Sequence, residues 1–274
     1  MIFMSADIAD STQFKQLASL DQERAPWLVS FETFFREFPL VLMGQIAGTF
    51  ADQDTIPQIS IWKVIGDELV FRAPVESAEE ALRITEAFYR AVVKYDAQFF
   101  KRWPLRIRGT CWACDFRKRN IELEIPEMES NQGTYIDFLG PDVDAGFRIA
   151  GFGESGNVIL SMELAELLTQ LEDNRGIRFH YTGKAVLKGV FGGQPYPLIL
   201  ISFDKATPDL WRWDLEESPQ LKSLINDPPI APAALSALIA KIRTYLNQKC
   251  RLGLQRLELE APPATRPTKP IAPL

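Results

Sequence analysis

The sequence is poor in the side chains that most often hold transition metals or relay protons. A single histidine, His180, occurs in 274 residues, which argues against a histidine-based metal site and a Ser-His-Asp triad. Cysteine is nearly as scarce. Three residues, an odd number, do not make a disulfide framework, and sparse thiols fit a reducing compartment. Cys111 and Cys114 have C-x-x-C spacing, but no second pair follows. In the strand-like stretch RIRGTCWACD, positions three apart face opposite ways, so buried structural thiols are expected. Long apolar runs are missing too. None reaches the roughly 18 residues that span a bilayer, and the amino terminus lacks the basic start and apolar stretch of a signal peptide, which predicts a cytoplasmic protein. Excess positive charge is also absent. The net charge of -6 offers no footprint for duplex nucleic acid or an anionic membrane, so a small anionic ligand would need local neutralisation by metal ions or a few placed cations.

What is present is an ordinary globular composition, 46% hydrophobic and 24% charged, in a chain long enough for one sizeable core. An apolar strand, Ile2 to Ile8, leads into helical sequence with a break near Pro26, which Pro39 is expected to stop at about Phe38. ISIWKVIGDELVFRA reads as two strands joined at Gly66-Asp67. Ser77 and Glu80 form a capping-box pattern, and Ala81, Ile84, Phe88, Val92, Tyr95 and Phe99 recur at helical spacing. Strand sequence resumes from Leu105 to Ala113, and a polar stretch from Asp115 to Thr134 holds a strand, Ile121 to Ile125, and a loop. DFLGPDVDAGFRIAGFG reads as a turn and a short helix with Pro141 in its first turn. Strands at Val158 to Leu160, Ile177 to Tyr181 and Tyr196 to Phe203 surround a helix from Met162 to Leu171. The alternation predicts an α+β sandwich, a sheet carrying helices on one face. Beyond residue 204 the character changes. Trp211 and Trp213 sit in a polar connection, Ala233 to Asn247 reads as a helix led by Pro232, and the proline-rich residues 261–274 are expected to be disordered.

Four short motifs carry chemistry. IFMSADIADST puts Asp7 and Asp10 between a strand and a Ser-Thr helix start, where a plain N-cap is the common reason for such residues. KVIGDE presents Asp67 at a hairpin tip. DFLGPDVDAGFR carries Asp137, then Asp144 and Arg148 on one helix face, which alone would be a surface ion pair. LKG puts Lys188 before a glycine. A fifth motif, GFGESG, fits G-x-G-x-x-G but follows a helix and precedes a strand, the reverse of the dinucleotide-binding context, and reads as a turn.

The order and spacing of the four motifs resemble the class III nucleotidyl cyclases over residues 2 to 203. In that family the first strand ends in Asp-Ile, a hairpin carries Lys-x-x-Gly-Asp, a later Asp-x-x-Gly precedes an Asn and an Arg, and a Lys precedes a Gly near the end. Here these are Asp7-Ile8; Lys63 and Asp67; Asp137 and Gly140, followed by Asp144 and Arg148; and Lys188. The resemblance implies a ferredoxin-like sandwich for residues 1–204, with residues 205–260 a C-terminal extension. It implies that Asp7, Asp67 and the Ile8 carbonyl bind two divalent cations, Mn2+ or Mg2+, and that amides around Ala9 to Thr12, with Ser11 and Thr12, cradle phosphate, Asp10 merely capping. It further implies that Lys63 and Asp137 read the base, that Arg148 stabilises the α-phosphate and that Lys188 grips the terminal phosphates. Because the family shares each site between subunits, a head-to-tail homodimer with two composite sites is implied. Asp144 departs from the pattern: an ionised Asp accepts where the family Asn donates.

Lys63 donating and Asp137 accepting could read adenine, cytosine or uracil, and Trp62 and Trp112 lie near enough in sequence to narrow the pocket. Three features are similar to the stand-alone bacterial pyrimidine cyclases of the Pycsar anti-phage system: a domain beginning at residue 2, the acidic Asp144, and a polar insertion before Tyr135. That resemblance implies conversion of UTP, or else CTP, to a cyclic monophosphate that activates a separate effector, with no nucleic-acid or membrane partner. An adenylate cyclase, or a nucleotide-binding homologue with weak catalysis, is the alternative.

Overall fold

In the computed structural model the structure describes residues 1–17, 25–117, 119–130, 133–203 and 218–259. Trp211, Trp213 and the proline-rich residues 261–274 lie outside them. Among the described residues no helix is long and apolar enough to cross a membrane.

The apolar start of the chain forms β1 (Ile2–Ala9), followed by α1 (Ser11–Leu17) and α2 (Pro26–Thr49). A hairpin of β2 (Ser60–Ile65) and β3 (Glu68–Ala73) turns at Gly66, whose φ of 65° suits glycine. Next come α3 (Ala78–Phe100) and β4 (Arg106–Ala113). These strands lie in the order β2-β3-β1-β4, all antiparallel, which is the ferredoxin-like core. The sheet then extends through β7 (Val158–Leu160), parallel to β4, and the antiparallel β9 (Pro195–Ser202) and β8 (Arg178–Val186), giving seven strands. A separate hairpin of β5 (Ile121–Ser130) and β6 (Gly133–Leu139) leads to α4 (Pro141–Ala150). The helix α5 (Met162–Leu168) follows β7, and α6 (Pro219–Asn226) and α7 (Pro232–Cys250) close the described chain.

Alternation along β1 and β4 splits the core into two layers. Gly109 of β4 faces Phe88 and Val92 of α3, so close that a methyl group there would lie 2.8–3.0 Å from Val158, Val92 and Phe88. Phe3 and Trp112, paired across β1 and β4, face the other way and stack with ring centroids 5.4 Å apart. The α3 helix begins as its sequence predicts: the Ser77 hydroxyl accepts from Glu80 N, and the Glu80 carboxylate accepts from Glu76 N. All six positions of its apolar stripe are buried.

Pro39 does not stop α2, which continues to Thr49 with the proline inside it. The buried stripe Phe31, Phe34, Phe38, Leu42 and Ile46 crosses the proline without losing phase, and Phe38 packs on Phe71, Phe88 and Tyr95 at 5.7–6.1 Å. Burying each large apolar side chain contributes about 1.5–3 kcal/mol, so the turns beyond Pro39 outweigh an internal proline costing about 3 kcal/mol. A second difference lies in the polar stretch. Asp137, expected in a turn, pairs with Leu123 inside the β5-β6 hairpin, because each strand finds its hydrogen-bonding partner in the other. The expected final helix is present, and Leu235, Ile239 and Leu246 of α7 join the main core.

Candidate active site

Strand register brings three charged side chains into one row. Asp7 on β1 pairs with Glu68 on β3 and with Arg108 on β4. The Arg108 guanidinium holds one Asp7 oxygen through two nitrogens, Nε at 2.7 Å and a terminal nitrogen at 2.6 Å. Glu68 accepts a short hydrogen bond from the Ser5 hydroxyl, one row along the same face. Burial pushes the Asp7 carboxyl up to about 6 even though Arg108 opposes the shift, and Asp67 and Glu68 add repulsion. Burial likewise raises Glu68.

This row borders an open cleft of about 540 Å³ lined by Asp7, Ile8, Asp10, Ser11, Thr12, Gln13, Gln16, Asp67 and Arg108. Two devices shape it. Gly66 turns the β2-β3 hairpin and leaves Asp67 at its tip, and Asp10 turns β1 into α1 with a left-handed φ of 58°, a conformation Asp tolerates better than most side chains. The Asp10 carbonyl accepts from Phe14 N at 3.1 Å, so the helix starts at once.

A second pair forms elsewhere on the same sheet face. Lys63 on β2 and Asp137 on β6 make an ion pair of 2.7 Å, each side chain only partly exposed. The Lys63 ammonium lies 4.5 Å from the Trp62 ring centroid, and Trp62 packs on Phe3 at 5.0 Å and Phe138 at 5.2 Å. Trp62 and Trp112 are both buried in this aromatic layer.

The third group sits on α4. Asn120 clamps the helix start: its amide NH2 donates to Asp142 and to the Asp115 carbonyl, and its oxygen accepts from Asp142 N. A side chain at Gly140 would strike that Asn120 oxygen at 2.3 Å, and one at Gly146 would strike the Trp112 ring at 2.3–2.4 Å, so α4 lies against the sheet at glycine contacts. Asp144 and Arg148 point outward and are exposed. Lys188 is exposed in the turn after β8. The structure therefore gathers Asp7, Ile8, Ser11, Thr12 and Asp67 around one cleft, joins Lys63 to Asp137, and leaves Asp144, Arg148 and Lys188 off that cleft.

Glu68 and Arg108 were not singled out from sequence, yet they flank Asp7. The available signal was RIRGTCWA, whose alternate positions put Arg106, Arg108, Thr110 and Trp112 on one strand face; what pairs across that face depends on register. GFGESG behaves as a turn, joining α4 to β7 with Gly156 N donating to Ile107 O at 2.7 Å and Ser155 bridging to Arg108. Cys111 and Cys114 are buried, with thiol pKa values raised by burial. The His180 Nε2 lies 3.0 Å from the Ser202 hydroxyl, away from the cleft.

Among the described residues no three His, Cys, Asp or Glu side chains gather as a metal cluster. The cleft offers two carboxylates and the Ile8 carbonyl, all hard oxygen donors suited to Mg2+ or Mn2+, and the desolvated Asp7, crowded by two other acids, is a site a cation would relieve.

The four-strand core, its extension, and the β5-β6 hairpin leading into α4 define the α+β fold of a class III cyclase catalytic domain. Among solved structures, the adenylyl cyclase CyaB from P. aeruginosa superposes with a TM-score of 0.55 at 14% identity, covering 77% of this chain and 96% of that one. The guanylate cyclase domain of RhGC from Catenaria anguillulae, in complex with GTP, gives 0.49 at 11% identity over 74% and 96%. The guanylyl cyclase Cya2 gives 0.48 at 16% identity over 76% and 94%. The chain matches no protein-family model and no curated protein.

Proposed function

We propose that the protein is a nucleotide cyclase that converts a pyrimidine nucleoside triphosphate, UTP before CTP, to its 3′,5′-cyclic monophosphate and pyrophosphate. The observation that carries the reading is the common cleft of Asp7 and Asp67, from distant parts of the chain, on a fold shared with an adenylyl cyclase. Asp7, Asp67 and the Ile8 carbonyl would hold two divalent cations. Such ions, when bound, favour loss of the ribose 3′-hydroxyl proton and neutralise the triphosphate. Ser11 and Thr12 line the same cleft and can donate to phosphate oxygens. Lys63 donates to the base and Asp137 accepts from it. Asp144 accepts from a sugar hydroxyl. Arg148 opposes the charge that grows on the α-phosphate, and Lys188 holds the terminal phosphates.

Within one chain the base-reading pair and the α4 residues do not border the Asp7 cleft. A second copy supplies them, which makes the working unit a head-to-tail homodimer with two composite sites. Exposed apolar side chains support such a partner surface: Ile61, Val64 and Ile65 on the outer strand β2, and Ile121, Leu123 and Leu139 on the β5-β6 hairpin.

The pyrimidine preference is supported by the acidic Asp144, through the resemblance to bacterial pyrimidine cyclases. By the resemblance to bacterial pyrimidine cyclases, the product would act as a second messenger in anti-phage defence through a separate effector. The Lys63-Asp137 pair also suits adenine N1 and its amino group, so an adenylate cyclase is the second reading. Incubation of the pure protein with Mn2+ and each ribonucleoside triphosphate, with chromatography of the products, decides. A cyclic pyrimidine nucleotide is expected; cyclic AMP alone supports the second reading, and triphosphate binding with no product overturns both.

A further inference from the structure

We propose that Arg108 is a tethered stand-in for the divalent cation, holding Asp7 while the cleft is empty and competing with the ion for that carboxylate. The inference rests on the reading of Asp7 as a metal ligand and goes beyond it, because it gives a role to a residue outside the motifs.

The geometry is specific. Two Arg108 nitrogens, at 2.6 and 2.7 Å, engage the same Asp7 oxygen, and both residues line the cleft. The Arg108 backbone is fixed on both sides, by strand pairing with Asp7 and by a bridge to Ser155. Its side chain, 30% exposed at the cleft, is the part that can move. Glu68 lies in the same row on the far side of Asp7.

The guanidinium occupies one Asp7 oxygen, and its positive charge weakens the hold of the other on a cation, since like charges at such separations repel. An ion entering at Asp7 therefore works against Arg108. The empty site gains from the arrangement, since Asp7 is never left as an unpaired, half-desolvated charge. Arg108 thereby sets the concentration at which the ion enters, and once released it points a cation into the cleft. A structural ion pair with no such role would respond differently: its loss would loosen the sheet and weaken every ligand of Asp7.

The test is Mn2+ binding to the full chain without nucleotide, read from the electron paramagnetic resonance signal of the free ion. Arg108→Gln should bind Mn2+ about tenfold more tightly than the wild type. Arg108→Lys, which keeps the charge but cannot grip with two nitrogens, should fall between the two. Asp7→Asn should bind weakly whatever stands at position 108. Circular-dichroism melts identify any variant that does not fold, and the lysine variant then stands for the glutamine one. Unchanged or weaker Mn2+ binding in a folded Arg108 variant overturns the stand-in role and leaves the metal reading intact. Tight wild-type binding that survives Asp7→Asn overturns both.

Discussion

A carboxyl group kept from water makes a folded protein sensitive to pH, and Glu163, at the start of α5, is the clearest case. Burial, aided by Asp142, pushes it up to about 7 against a hydrogen bond from Tyr196 and the charge of Arg119. The folded state then keeps a proton that the unfolded chain loses near its ordinary value of 4.5. Stability from this group is therefore full below about 4.5, declines as pH rises through about 7, and is level above that. Glu163→Gln should unfold at higher urea than the wild type at pH 8, by about 1–3 kcal/mol, and match it at pH 4. Urea titrations of both proteins across that range measure the difference. At this scale the sequence was partly readable. Asp7 and Asp67 stood out only through the order and spacing of the four motifs, because a plain N-cap or a routine Gly-Asp turn explains each of them alone. Arg108 and Glu68 did not, because their meaning comes from lying opposite Asp7, and strand register is a property of two segments together.

At the level of elements, periodicity identified most strands and helices, while punctuation misled. The rule that proline ends a helix failed at Pro39, because five buried side chains on one stripe stabilise α2 on both sides of it. Pro39→Ala restores a backbone donor but loosens the unfolded chain, so a net gain of about 1–2 kcal/mol is expected from denaturant unfolding, with no change in ligand binding. The β5-β6 hairpin was half legible. Ile121 to Ile125 has the strand pattern, yet the return strand through Asp137 was hidden by its short, mixed composition. That return strand is what carries Asp137 to Lys63, so the pairing implied for these two residues by the family resemblance rests on an element that the local pattern did not show.

Across the whole molecule, the two halves of the proposed site lie apart on one chain: Asp7 and Asp67 line the cleft, whereas Lys63, Asp137, Asp144 and Arg148 do not. Asp7→Ala and Arg148→Ala homodimers should each be inactive, whereas their mixture should regain up to about a quarter of wild-type turnover, because random pairing makes half the dimers mixed and each mixed dimer keeps one intact site. An activity assay on the mixture measures this, and no recovery would refute the shared-site assembly. The resemblance carried by the four motifs implied such an assembly; the exposed apolar strips on β2 and the hairpin required coordinates. A site shared in the proposed way would also tie output to abundance. At low copy number dilution would keep the chains apart and each one silent, so product formation would climb more steeply than protein level.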